Sequence, residues 1–226
     1  MIRSVLFDTE TTGLDPMAGD RLIEVAALEL MNDLPTGQHF HALVHPQRSI
    51  PEEVTRIHGI TLDQLAGKPL FAEIADDLLA FLGDGKLVAH NAPFDFGFLN
   101  AEFSRLGQPA LDGERMIDTL AMAKARFPGL PNSLDALCRR FGIDLSERST
   151  HNALLDCKLL AEVYVELTGG RQGGLSLADA GQDNMPMTRY AAVGSRTPRQ
   201  IVPTEAELLA HATFLAKIKG SIWTVA

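Results

Sequence analysis

Cysteine is scarce in this chain: Cys138 and Cys157 are the only two in 226 residues, at no spacing that suggests a disulfide framework or a paired-thiol metal site. Both fall in stretches of helical periodicity, so a reducing compartment, the cytoplasm, is the expected setting. Aromatic residues make up only 6% of the chain, and no run of 18 or more uncharged apolar residues occurs. Asp8 and Glu10 interrupt the apolar start at once, so neither a secretory leader nor a membrane span is expected. Basic charge is short as well, with 20 Lys and Arg against 29 Asp and Glu and a formal net charge of -9. That deficit argues against a protein that coats nucleic acid through broad contact with phosphates. A phosphate substrate stays compatible with the acidity if divalent cations bridge the two.

What is present suffices for one sizeable core, since 46% of the residues are hydrophobic. Short apolar runs at Ile2 to Phe7, Leu22 to Leu30 and Phe40 to Val44 predict an antiparallel meander. After Pro51 the period shifts towards 3.6, with Val54 and Ile57 on a short helix and Phe71 to Leu82 on a longer one. Leu87 to Ala89 and Met116 to Ile117 read as further strands; Phe94 to Leu106, Leu134 to Phe141 and Ala153 to Leu167 read as helices. Strands first and then alternation predict an α/β fold, a mixed sheet of three antiparallel strands plus parallel strands, flanked by helices on both faces.

Residues 1–170 are expected to form the catalytic domain and carry a net charge of -11, against +2 for residues 171–226. Residues 171–203, rich in Gly, Pro, Gln, Ser and Thr, read as a flexible linker. Residues 204–226 begin with Thr204 and Glu207, which fit a capping box, and Leu208, Ala212 and Leu215 fall on one face of the helix that follows. One short helix has little core of its own, so it is expected to dock.

Three separated stretches carry carboxylates with unusual neighbours. Asp8 and Glu10 are two apart at a strand end, so both point to one face and repel each other. They run into Thr11, Thr12, Gly13 and Leu14, a turn that leaves backbone open to a ligand. In His90-Asn91-Ala92-Pro93-Phe94-Asp95, the aspartate falls in the first turn of a helix, where it serves equally as a ligand or as a favourable anion. In His151-Asn152-Ala153-Leu154-Leu155-Asp156, five helical steps turn through about 500°, so both side chains cannot share a face of one helix. His151 is therefore expected just before the helix and Asp156 within it. Together the four carboxylates offer the hard oxygen ligands that Mg²⁺ or Mn²⁺ requires.

These three segments, in this order, resemble the three motifs of the DEDD exonuclease superfamily, in the subgroup whose fifth residue is histidine. More narrowly, Arg56-Ile57-His58-Gly59-Ile60-Thr61 and Leu167-Thr168-Gly169-Gly170 are similar to segments of the epsilon-type proofreading subunits of bacterial DNA polymerase III. The resemblance implies a ribonuclease H-like fold and 3′–5′ hydrolysis of DNA ends, single-stranded or mismatched, with release of nucleoside 5′-monophosphates. It implies two divalent metal ions on Asp8, Glu10, Asp95 and Asp156, with His151 as general base. Thr11, Thr12 and Leu14 are expected to meet the terminal nucleotide, and His58 and Phe98 are further substrate candidates. In the tail it implies a sliding-clamp peptide at Gln172, Leu175 and Leu177. Leu208, Ala212, Leu215 and Trp223 are implied to anchor the alpha-like catalytic subunit of the polymerase. Two other readings stand beside this one: a stand-alone enzyme trimming RNA 3′ ends, and a replisome adaptor whose main role is assembly through its tail.

Overall fold

A computed structural model describes residues 2–146, 148, 150–169 and 202–218. The chain divides into two units, Met1–Leu175 and Ser176–Ala226. In the first, β1 (Arg3–Thr11), β2 (Leu22–Met31) and β3 (Leu34–Leu43) form an antiparallel meander, joined by two parallel strands, β4 (Lys86–Ala89) and β5 (Met116–Asp118). The sheet order is β3-β2-β1-β4-β5, with β1 at its centre. This is the expected mixed sheet.

Alternation along β1 sorts its side chains between two cores. Val5 and Phe7 enter a cluster with α2 (Phe71–Leu82) and α3 (Ala92–Arg105), through Ile74, Leu78, Leu82, Leu99 and Phe103. Leu6 enters a second cluster on the opposite face, made with α4 (Thr119–Arg126), α5 (Leu134–Phe141) and α6 (Ala153–Leu167), through Ala123, Leu137, Leu160 and Val163. The short helix α1 (Glu52–His58) stops at Gly59, whose φ of 75° suits glycine.

Two boundaries differ from the sequence reading by more than two residues. β1 runs on to Thr11, so Asp8 and Glu10 lie inside the strand rather than beyond it. β3 begins at Leu34 rather than Phe40, because Asn32 and Asp33, both with positive φ, close a tight hairpin in front of it. Pro35 and Gly37 hid that extension, and both are tolerated because β3 is an edge strand.

In the second unit, α7 (Glu205–Leu215) starts on Thr204, whose hydroxyl accepts from the Glu207 amide while Glu207 accepts from the Thr204 amide, closing the capping box. Leu208 and Ala212 are exposed and Leu215 is buried. Gln172, Leu175, Leu177 and Trp223 lie outside the described residues. No described helix is long and apolar enough to cross a membrane.

Candidate active site

The carboxylates gather where parallel strands end and two helices begin. Asp8 and Glu10 continue the face of β1 that carries Leu6, and so lie on the α6 side of the sheet. Asp95 and Asp156 each occupy the fourth residue of their helices, α3 and α6. Both helices present their N-terminal ends to the site, which favours negative charge there.

Each helix start is tied to the sheet. Asp118, at the end of β5, accepts from the Asn91 and Ala92 amides at 3.0 and 3.3 Å and so fixes the turn that begins α3. On the other side, Glu24 of β2 sits opposite Glu10 and is fully buried. Its carboxylate accepts from the Asn152 side chain at 3.1 Å and the Ala153 amide at 3.2 Å, while His41 Nε2 lies 2.7 Å from it. Asn152 caps α6 by accepting from the Leu155 amide, and the His151 amide donates to the Ile57 carbonyl. His151 is thus held just before the helix, between α1 and α6. Its side chain is half exposed, with Nδ1 3.6 Å from Asp156 Oδ2.

The electrostatics are those of crowded anions in a poorly solvated place. Burial, then the charges of Asp95, Glu10 and Asp156, hold the Asp8 carboxyl well above the usual carboxylate range. Burial, then Asp156 and Glu24, push Glu10 up to about 8. Burial lifts Asp95 to about 7 against the pull of hydrogen bonding, chiefly the Thr9 hydroxyl that donates to it at 2.7 Å. Of these four carboxylates, among the described residues, only Asp156 has a full cationic partner: Arg148 donates to its two oxygens from Nε at 2.6 Å and from a terminal nitrogen at 2.8 Å. The same guanidinium reaches Asp135 and comes within 3.2 Å of His151 Nδ1.

Glu10 Oε1, His58 Nε2 and His90 Nε2 are buried without a hydrogen-bond partner, and all three residues line one cavity of about 560 Å³. Glu10, His151 and Asp156 can each turn a ligand atom to within 4.8 Å of the others. An orphaned carboxylate oxygen among protonation-prone acids is what a hard-cation site looks like before its cation arrives, so these residues fit a divalent metal.

Of the residues singled out in the sequence, Asp8, Glu10, Asp95, Asp156, His151, Thr11, Leu14 and His58 all line this cavity. Thr12 and Phe98 do not. Thr12 is buried with its hydroxyl between Asp20 and the Arg21 amide, and Phe98 is buried one helical turn below Phe94, whose ring faces the cavity instead. The sequence reading missed Phe94, Glu24, Asp135 and Arg148. Two of these had a visible signal: Glu24 is a lone charge within the apolar stretch Leu22 to Leu28, and Arg148 is the sole Lys or Arg between Arg140 and Lys158.

The RNase_T exonuclease family model matches residues 5–164. The chain belongs to this exonuclease family, of the DEDDh type. Within it, the DNA polymerase III subunit epsilon of Rickettsia conorii is 47% identical over 222 residues, covering 96% of each chain. The subunit of the same name from Escherichia coli K12 is 39% identical over 92% of this chain and 90% of its own. Among solved structures, Exonuclease X in complex with 5′ overhanging duplex DNA superposes with a TM-score of 0.57 at 28% identity, covering 74% of this chain and 91% of that one. The nuclease domain of 3′hExo, a DEDDh family member bound to rAMP, shares the fold with a TM-score of 0.62 at 20% identity, over 73% and 90% of the two chains.

Proposed function

We propose that this protein removes nucleotides one at a time from DNA 3′ ends as the proofreading exonuclease of a replicative polymerase. The observation that supports it most directly is the convergence of four carboxylates and His151 on one cavity lined also by apolar residues such as Leu14 and Phe94. Similarity to polymerase III epsilon subunits over nearly the whole chain favours DNA over an RNA-trimming role.

Two Mg²⁺ or Mn²⁺ ions would be held there by Asp8, Glu10, Asp95 and Asp156, and would supply Lewis-acid chemistry to the attacking water and the departing 3′ oxygen. His151, with Nδ1 3.6 Å from Asp156 Oδ2, takes the proton of the attacking water, histidine being the side chain most often used as general base. Its half-exposed position on the cavity rim lets it exchange that proton with solvent. Leu14, 81% exposed, offers apolar surface to a terminal base, and Thr11, whose hydroxyl donates to the Gly13 carbonyl at 2.6 Å, lines the cavity on the sugar and phosphate side. Contacts of this kind do not read sequence, so the substrate is selected by how easily its end leaves the duplex; a mismatched end leaves at lower cost.

Around this core, Gln172, Leu175 and Leu177 are assigned to a sliding clamp, and Leu208, Ala212, Leu215 and Trp223 to the polymerase catalytic subunit. The exposed Leu208, Leu209 and Phe214 of α7 support a docking role for that segment.

The test is release of mononucleotides, with Mg²⁺ or Mn²⁺, from a single-stranded DNA end, a mismatched duplex end, a matched duplex end and RNA. Faster release from single-stranded and mismatched DNA is expected. Preference for RNA would instead support the stand-alone trimming enzyme, and cleavage within the strand would overturn the exonuclease mechanism.

A further inference from the structure

The only full counter-charge to a site carboxylate among the described residues comes from the chain itself. Arg148 grips both oxygens of Asp156 in a two-point fork, and its remaining terminal nitrogen is 2.5 Å from Asp135 Oδ1. Asp156 is 3% exposed and Arg148 lines the same cavity, so the pair sits inside the site and not on its rim. A fork of this geometry is among the stronger protein ion pairs. A dication bonded to either oxygen, at the roughly 2.0–2.1 Å of a magnesium–oxygen bond, would lie within a few ångströms of the guanidinium. Two cations cannot both be well placed there.

We propose that Arg148 is an internal counter-cation for Asp156: it holds the carboxylate in the metal-free protein and must swing off it, staying anchored on Asp135, for a metal to bind. This rests on the metal-dependent reading above. The arrangement has two consequences. The fork holds both Asp156 oxygens in place within the site before any metal is present, so the ligand is preorganised. Metal affinity is lowered by the cost of breaking the fork, so the site loads fully only when something else stabilises the released guanidinium, and the phosphate of a bound strand end is the group of matching chemistry. Asp135, on α5, is the pivot: it offers a second carboxylate on the far side of the guanidinium, so the swing needs rotation of one side chain rather than withdrawal of the loop.

The test is calorimetric titration of Mn²⁺ into the full-length, metal-free protein without DNA, comparing the wild type with Arg148→Lys and Arg148→Ala. Loss of a charge-assisted fork should tighten Mn²⁺ binding by about tenfold or more in Arg148→Ala. Arg148→Lys, which keeps the charge but not the fork, should fall between the two. Melting supplies a second readout: Arg148→Ala should melt below wild type in chelator and gain more from Mn²⁺. Equal Mn²⁺ affinity in all three proteins, or weaker binding in Arg148→Ala than in wild type, overturns the counter-cation while leaving the metal-dependent exonuclease intact. Failure of the wild type to bind Mn²⁺ at all, with nucleotide release persisting in chelator, would remove the metal reading and this inference with it.

Discussion

Asp95 and Glu102 lie two turns apart on α3 and are almost equally buried, at 3% and 2% exposed, yet their surroundings are opposite. Glu102 accepts from Arg21 at 2.7 and 3.0 Å, from the Leu22 amide at 3.3 Å, and has Arg105 at 3.2 Å. Asp95 receives the Thr9 hydroxyl and otherwise stands near further carboxylates, Asp8 among them. The fold therefore neutralises a buried acid where it serves as a brace between helix and strand. At the other end of the same helix it leaves the neutralisation undone. A buried charge without a partner is costly, so the surplus of anion at the site is a standing demand for external cations.

The sharpest way to break this contrast is Asp8→Asn. Losing a carboxylate shared by the metal site forfeits several kcal/mol of transition-state stabilisation, so the single-turnover rate should fall about a thousandfold or more. The same substitution relieves repulsion, so the metal-free protein should melt no lower than wild type. Activity that survives, or a melting point that collapses, would put Asp8 in the class of Glu102. Next in size is His151→Ala, with an expected loss of about a hundredfold at saturating metal and substrate, within the usual range of general-base catalysis. A loss under about tenfold would reduce His151 to a rim residue of the α6 cap.

Arg21→Met probes the other end of α3. It leaves Glu102 with only the Leu22 amide and the peripheral Arg105, so the expected loss is in folding stability, about 3 kcal/mol by denaturant unfolding. The rate per folded molecule should be little changed. A fall in rate as large as that of His151→Ala, at unchanged stability, would show that the two ends of α3 are not separate in function.

Much of the site could be read from the chain because its chemistry needs particular residues in short strings. Asp8 and Glu10 are spaced for one strand face, and Asp95 and Asp156 follow helix-start signals, so three local patterns pointed to four carboxylates that the fold brings to one cavity. What could not be read arises from contacts across long stretches of chain. Glu24 reaches Asn152 across 128 positions, and nothing near Glu24 marks its partner. Phe94 and Phe98 stand one turn apart on the same helix, and spacing alone could not decide which ring faces the cavity and which lies beneath it. Thr12 looks as available as Thr11 in sequence, but the fold returns Asp20 and Arg21 against it. Gly13 is needed for a related reason, since a Cβ there would collide with the Asp20 carboxylate.

The smallest expected effect is also the most direct measure of the anion surplus. With no metal, burial and mutual repulsion keep protons on Asp8, on Glu10 up to about 8 and on Asp95 up to about 7. The unfolded chain gives up the same protons in the ordinary carboxylate range, so between that range and about pH 8 the folded protein binds more protons than the unfolded one. Stability must then fall as pH rises: the contribution is complete below the unfolded values and is lost through the folded ones. In chelator, the melting temperature should decline from about pH 5 to about pH 8 on account of these groups. Glu10→Gln should flatten the decline, because it removes a group pushed up to about 8, and saturating Mg²⁺ should oppose it most strongly at the alkaline end, where the carboxylates are free of protons. A slope unchanged by both Glu10→Gln and Mg²⁺ would mean that the pH dependence comes from elsewhere in the molecule, and that the site is not the reservoir of uncompensated charge that distinguishes it from the Arg21–Glu102 brace.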